Sequence, residues 1–216
     1  ARQLGLGDPL SGCRRARIRA GPLPLARPIS SLHVRPRRLS SGVSQGQLGP
    51  VIRAAGRFLS APDGPRIAVL DTGGWDTHAN QGAGQGILAS RLGGLDAGLA
   101  ALKQELGRYW QNTVVVVASE FGRTVAVNGT RGTDHGTAGC AFIAGGAVRG
   151  GRVFADWPGL AERDLYEGRD LKPTTDMRAV FKGVLIEHLG ADSAQLSREV
   201  FPASASIAPL EGLIDA

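Results

Sequence analysis

From about residue 48 onward the chain alternates short β-rich runs with helical periods, the pattern of a layered α/β fold. RIAVLD (66–71) predicts a first buried strand. Leu88, Leu92, Leu95, Leu99, Leu102 and Leu106 follow at spacings of 4, 3, 4, 3 and 4, which places them on one stripe of a helix. Gly93, Gly94 and Gly98 each weaken that helix by roughly 1 kcal/mol relative to Ala, so close packing against a sheet is expected to stabilise it. TVVVVAS (113–119) is a continuous β-branched run, as in a strand buried on both faces of a central parallel sheet. CAFIAGG (140–146) and GRVFADW (151–157) read as further strands, the second a short one. The link between 119 and 140 has no helical pattern, and a parallel crossover normally needs one. Residues 140–144 are therefore expected to run antiparallel to 113–119. A last helix begins at Thr174 or Thr175 with Asp176 and carries Ala179, Val180, Val184 and Leu189 on one face. His188 falls in its last turn, where a cation suits the helix dipole, and is given a structural or surface role.

Charge divides the chain unevenly. The formal net charge of +6 resides in the first 45 residues, where nine Arg face only Asp8; the remaining 16 Lys and Arg face 18 acids. In residues 1–47 Pro and Gly interrupt every short apolar run, and this segment is expected to be disordered. It reads as a nucleic-acid-binding arm, a targeting segment, or sequence foreign to the domain; the last is preferred. No uninterrupted apolar stretch suits a secretory signal or a membrane span. Residues 48–216 form the expected domain, soluble and without a specific nucleic-acid site. Cys13 and Cys140 make no zinc or redox spacing, and Cys140 reads as a small core residue.

The candidate chemistry lies in three short segments, GGWDTH (73–78), SEFGRT (119–124) and GTDHGT (132–137), each at a predicted strand terminus. Asp76 and His78 share a side of extended backbone. If 140–144 is antiparallel, its start lies at the same sheet edge as the ends of the other strands, the edge where open sheets bind ligands. The set Asp76, His78, Glu120, Asp134 and His135 then offers three carboxylates and two imidazoles. That mixture suits one or two divalent ions, zinc or manganese before calcium. Arg123 is the candidate for holding an anionic substrate oxygen, with Lys172 and Arg169 weaker candidates. Taken singly, each motif is ordinary turn chemistry: Glu120 can cap a loop and pair with Arg123, and Trp75 and Phe121 suit a core or pocket wall. Their joint placement favours a shared site.

These motifs (VLDTGGWDTH, VVVVASEFGRT, NGTRGTDHGT and RDLKPTTDMRAVFKGVL) resemble a family of bacterial proteins of unknown function within the alkaline-phosphatase-like superfamily, over roughly residues 50–215. The resemblance implies a central, mostly parallel sheet with flanking helices, incomplete at its N-terminal side. It also implies a divalent-metal hydrolase of phosphate or sulfate esters, exported in its full-length relatives by a twin-arginine signal. On that basis Asp76 and His78 look like a ligand pair, Glu120 like the acidic ligand ending a strand, and His135 like a late histidine ligand. Asp134 looks like a ligand or a partner that orients His135. The chain has Asp76-Thr77-His78 where the superfamily shows Asp-x-x-x-His, and Glu120-Phe121 where it shows Asp-His. The superfamily's first metal-binding Asp and its Ser or Thr nucleophile have no counterpart here. The alternative is a non-catalytic metal-binding or scaffold protein of the same fold. The oligomeric state is not readable.

Overall fold

The structure, a computed structural model, describes residues 45–215. The expectations for residues 1–44 lie outside the described residues. Helix α1 (Gln45–Ser60) straddles the boundary expected at residue 48 and sets Leu48, Ile52 and Ala55 on one buried stripe. Helix α2 (Ile87–Leu106) is the expected leucine helix, but its stripe is unevenly used: Leu102 and Leu106 are buried, whereas Leu92 is exposed. Nor is a sheet what its glycines meet. A Cβ on Gly98 would stand 2.6 Å from Ile52 Cδ1 of α1, so the missing side chain is what allows the two helices to approach.

A 3-10 turn (Gly107–Asn112) leads from α2 into strand β1 (Val115–Val117). Strand β4 (Phe142–Ala144) pairs with it antiparallel, with Val115 opposite Ala144 and Val117 opposite Phe142, as the missing crossover helix requires. Alternate residues of this run face two cores. Val115, Trp110 and Leu70 pack on Leu48, Ile52, Leu102 and Leu106, while Val114, Val116 and Ile143 pack on Val180, Val184, Leu213 and Ile214. The second core belongs to helix α3 (Met177–Leu189), capped by the Asp176 carboxylate, which accepts from Arg178 N at 2.8 Å, and closed by Gly190 in the left-handed conformation. A short helix α4 (Ser193–Gln195) and a π turn (Leu196–Val200) follow.

Strands β2 (Gly122–Arg123) and β3 (His135–Gly136) form a second antiparallel pair inside the Gly-rich link, with Arg123 opposite His135. The molecule is thus a mixed helix and strand fold, and both named pairings among the described residues are antiparallel. The parallel central sheet expected for 113–119 is not among them.

Two expected strands need correction. Among the described residues no named strand covers 66–71, and Ile67 and Val69 are exposed, Val69 by 80%. Residues 151–157 likewise form no strand, and Val153 and Trp157 are exposed. A β-branched alternating run needs a ladder partner and a covering layer to become a buried strand, and neither segment is paired with a named strand. Cys140 is exposed rather than in the core. No helix among the described residues is long and apolar enough to cross a membrane.

Candidate metal centre

Two loops and a two-strand pair carry the site. The backbone of Trp75–His78 lies against residues 130–134: Thr133 N donates to Thr77 O, Asn80 N to Thr130 O and Gln81 N to Arg131 O. The approach is close enough that a Cβ on Gly132 would fall 2.2 Å from the His78 carbonyl, so only glycine fits there. Buried Thr77 and Thr133 both donate to Gln81 Oε1, at 2.7 and 2.8 Å, pinning the two motifs side by side. The β2–β3 register then sets Arg123 against His135.

Three ligand-type atoms converge. His78 Nε2 is 3.0 Å and His135 Nε2 2.9 Å from Asp76 Oδ1, and the two ring nitrogens are 3.2 Å apart. All three side chains are about half exposed, so the face they form is open to solvent. Arg123 Nη2 donates to Asp76 Oδ1 at 2.5 Å and to Trp75 O at 3.1 Å, while its Nη1 donates to Thr133 O at 2.9 Å. The guanidinium expected to hold substrate is therefore already engaged, both bracing the loops and countering the Asp76 charge. Hydrogen bonding to His135 holds the Asp76 carboxyl below its ordinary value, with Arg123 and the charge of His78 adding to the effect against partial burial.

Behind His78 stands Asp134, whose Oδ1 is 3.1 Å from His78 Nδ1. A hydrogen bond from Asn128 and another from His78 hold the Asp134 carboxyl below its ordinary value. An ionised carboxylate can only accept, so the Asp134 contact needs hydrogen on Nδ1 of His78, just as the 3.0 Å Asp76 contact would need it on Nε2. In the neutral ring with Nδ1–H, Nε2 is a lone pair pointing at Asp76 and His135. Asp134 thus orients His78, not His135 as expected, and is not one of the converging ligands.

Glu120 is also outside that group. It is exposed, and Ser119 Oγ donates to it at 3.4 Å. Its neighbour Phe121 does reach the site, its ring centroid 4.3 Å from that of His135, as the wall residue anticipated. Arg169 is tied to buried Asp170, with Nε 2.9 Å from Oδ1, although its charge also favours ionised Asp134. Sequence reasoning passed over Gln81, Asn128 and Asp170. Asp170 accepts from Thr137 Oγ1 at 2.8 Å and bridges to Thr124, holding the β2–β3 pair from behind.

Residues 54–201 match the family model described as "Protein of unknown function (DUF1501)". The chain belongs to the DUF1501 family. No curated protein and no solved structure matches it. The DUF1501 match takes in Asp76, His78, Arg123, Asp134 and His135, as well as Gln81 and Asn128, so the whole constellation lies within the family region.

Asp76, His78 and His135 could hold a metal ion. Ligand atoms about 2.1 Å from an ion stand about 3.0 Å apart at right angles and about 3.4 Å apart at tetrahedral angles. The observed edges of 2.9, 3.0 and 3.2 Å lie close to the right-angle spacing. One carboxylate and two imidazoles suit zinc, manganese or iron better than calcium.

Proposed function

We propose that Asp76, His78 and His135 hold one divalent ion, zinc or manganese, and that the protein is a hydrolase of small anionic esters, phosphate or sulfate. The observation that carries the metal reading is the convergence of His78 Nε2, His135 Nε2 and Asp76 Oδ1 within 3.2 Å of one another while Asp134 occupies the other nitrogen of His78. Lone pairs brought that close repel unless a cation or shared protons lie between them.

An ion held there would supply Lewis acidity toward a substrate oxygen and would make a bound water more acidic. The chain's own residues do the rest. Asp134 fixes the ring of His78, Arg123 offsets the charge of Asp76, and Phe121 packs on His135. The open face leaves room for water and a substrate oxygen. An anionic ester must compete with Asp76 for Arg123. Glu120 and Asp134 lie off the ligand triangle, which favours one ion over two.

Hydrolysis as the chemistry, and a mostly parallel alkaline-phosphatase-like sheet as the setting, are supported by the motif resemblance. The alternative, a metal-binding scaffold without turnover, is supported by the lack of an identified nucleophile.

Elemental analysis of protein purified without chelators should give close to one ion per chain, lost in Asp76→Ala and His135→Ala. Metal-free wild-type protein that takes up no zinc or manganese on reconstitution would end the metal reading. Hydrolysis of p-nitrophenyl phosphate or sulfate by the loaded protein, abolished by the same substitutions, supports the enzyme. Metal bound without turnover supports the scaffold.

A further inference from the structure

We propose that Asn128 is a positioning residue that selects the ring tautomer of His78 through Asp134, and so keeps the Nε2 lone pair turned into the ligand triangle. The proposal builds on the metal reading above.

The Asn128 side chain has two sets of partners that cannot be exchanged. Its Oδ1 accepts from Thr130 N at 3.0 Å and Gly132 N at 2.9 Å. Backbone N–H groups only donate, so the carbonyl end of the amide must face them and the NH2 end must face the other way. That end donates to Asp134 Oδ1 at 2.9 Å and to His78 O at 3.0 Å. Thr130 Oγ1 also donates to His78 O, at 2.6 Å.

Asn128 therefore holds His78 twice, by its backbone carbonyl directly and by its ring through Asp134. One Asp134 oxygen receives both the Asn128 N–H and the His78 Nδ1–H. Without the amide donor that carboxylate is free to turn toward solvent, and His78 loses its Nδ1 acceptor, which leaves Asp76 Oδ1, 3.0 Å from Nε2, as the acceptor that draws the hydrogen to Nε2. In the Nε2–H tautomer the hydrogen would point at Asp76 and His135, which is the position of the ion. A plain turn residue needs only the Oδ1 contacts; the donor contacts have no role in the turn.

Asn128→Asp separates the two functions, since it keeps an acceptor for Thr130 N and Gly132 N and removes the donor. Asn128→Ala removes both. In the full chain labelled with 15N-histidine, stripped of metal and held at about pH 8, where imidazole is largely neutral, long-range proton–nitrogen correlation reads the His78 tautomer. Wild type is expected in the Nδ1–H form, and N128D is expected to shift toward Nε2–H. Zinc affinity of N128D, by competition with a chromophoric chelator, should fall about 10- to 100-fold, while the melting temperature of the metal-free protein reports whether the turn survives. Wild-type His78 in the Nε2–H form overturns the proposal, as does N128D with unchanged tautomer and affinity. Should N128D fail to fold, the wild-type tautomer alone decides. A tautomer shift in N128D with no zinc bound even by wild type would sink the metal reading and leave the positioning role standing.

Discussion

At the scale of single residues, the groups that titrate are also those that hold the loops. Burial, with the charge of Arg66 adding to it, lowers the pKa of His188 below its ordinary 6.5, against an opposing hydrogen bond with the Asn112 backbone. The last turn of α3 thus carries a neutral imidazole in place of the dipole-stabilising cation expected. The sign follows from linkage: the unfolded chain binds a proton at His188 more readily than the folded one, so this residue's contribution is complete above pH 6.5 and is lost as pH falls through the folded value. An NMR titration should place the His188 midpoint below 6.5, and His188→Gln should flatten the decline of the melting temperature between about pH 7 and pH 5. A midpoint above 6.5 would contradict this. Asp170 behaves similarly in a more acidic range. Burial raises its carboxyl, but hydrogen bonds from Thr137 and Arg169 outweigh this and hold it below 3.8. Urea midpoints measured from about pH 5 downward should therefore fall less steeply in Asp170→Asn than in wild type. The juxtaposition of Asp76, His78, Arg123 and His135 was legible because their motifs, each ordinary alone, occur together at the ends of predicted runs. Asn128 and Gln81 were not, because amides among Gly and Thr look like turn residues until their partners are seen. Glu120 misled because a carboxylate after a strand signals a ligand only if the chain then turns it inward.

Elements show where periodicity informs and where it does not. The stripe of α2 and the cap of α3 could be read directly, since both signals are local. Helix α1 was missed although Leu48, Ile52 and Ala55 recur at helical spacing, because Pro50 and three glycines inside it argue against a helix. Packing against α2 overrides that propensity. Residues 66–71 and 151–157 failed for the converse reason: a strand pattern states only what a segment can do when paired. The α1–α2 contact yields a prediction of its own. Gly98→Ala gains about 1 kcal/mol of helix propensity, yet its methyl group would lie 2.6 Å from Ile52 Cδ1, and overpacking costs typically about 1–3 kcal/mol. Ile52→Val removes that same δ-methyl at a cost of roughly 1 kcal/mol when made alone. Denaturant unfolding of the two single variants and the double variant should show the double to be more stable than the sum of the singles by about 1 kcal/mol or more. Strict additivity would mean that Gly98 and Ile52 do not meet as described.

Across the whole molecule, the C-terminal tail is fastened to α3 by buried Lys182 and exposed Glu187, and to residues 147–149 by an antiparallel bridge between Val148 and Ile214. Lys182 is 1% exposed, and its ammonium donates to Ser204 O at 2.6 Å and to Ser197 Oγ and Ile207 O at 3.0 Å. Glu187 of the same helix accepts the backbone N–H groups of Gly212, Leu213 and Ile214, and the last two residues complete the core around Val180 and Val184. The tail from Ser204 onward lies beyond the family match, yet it supplies part of the core that covers one face of β1. Lys182→Met keeps the length of the stem and removes the donors. Each buried carbonyl left without a partner costs about 1–3 kcal/mol, offset in part because no charge is then desolvated. The expected loss is roughly 3 kcal/mol, with new proteolytic cleavage confined to the stretch after Phe201. Because no bond of Asp76, His78 or His135 runs to Lys182 or to that tail among the described contacts, zinc should still raise the melting temperature of Lys182→Met. The gain should match that of wild type at equal metal excess, about 2.7 kcal/mol at 100 times the dissociation constant. A variant that loses the zinc-dependent gain along with its tail would show that the ligand triangle depends on the second core, and would place the tail among the elements that build the site.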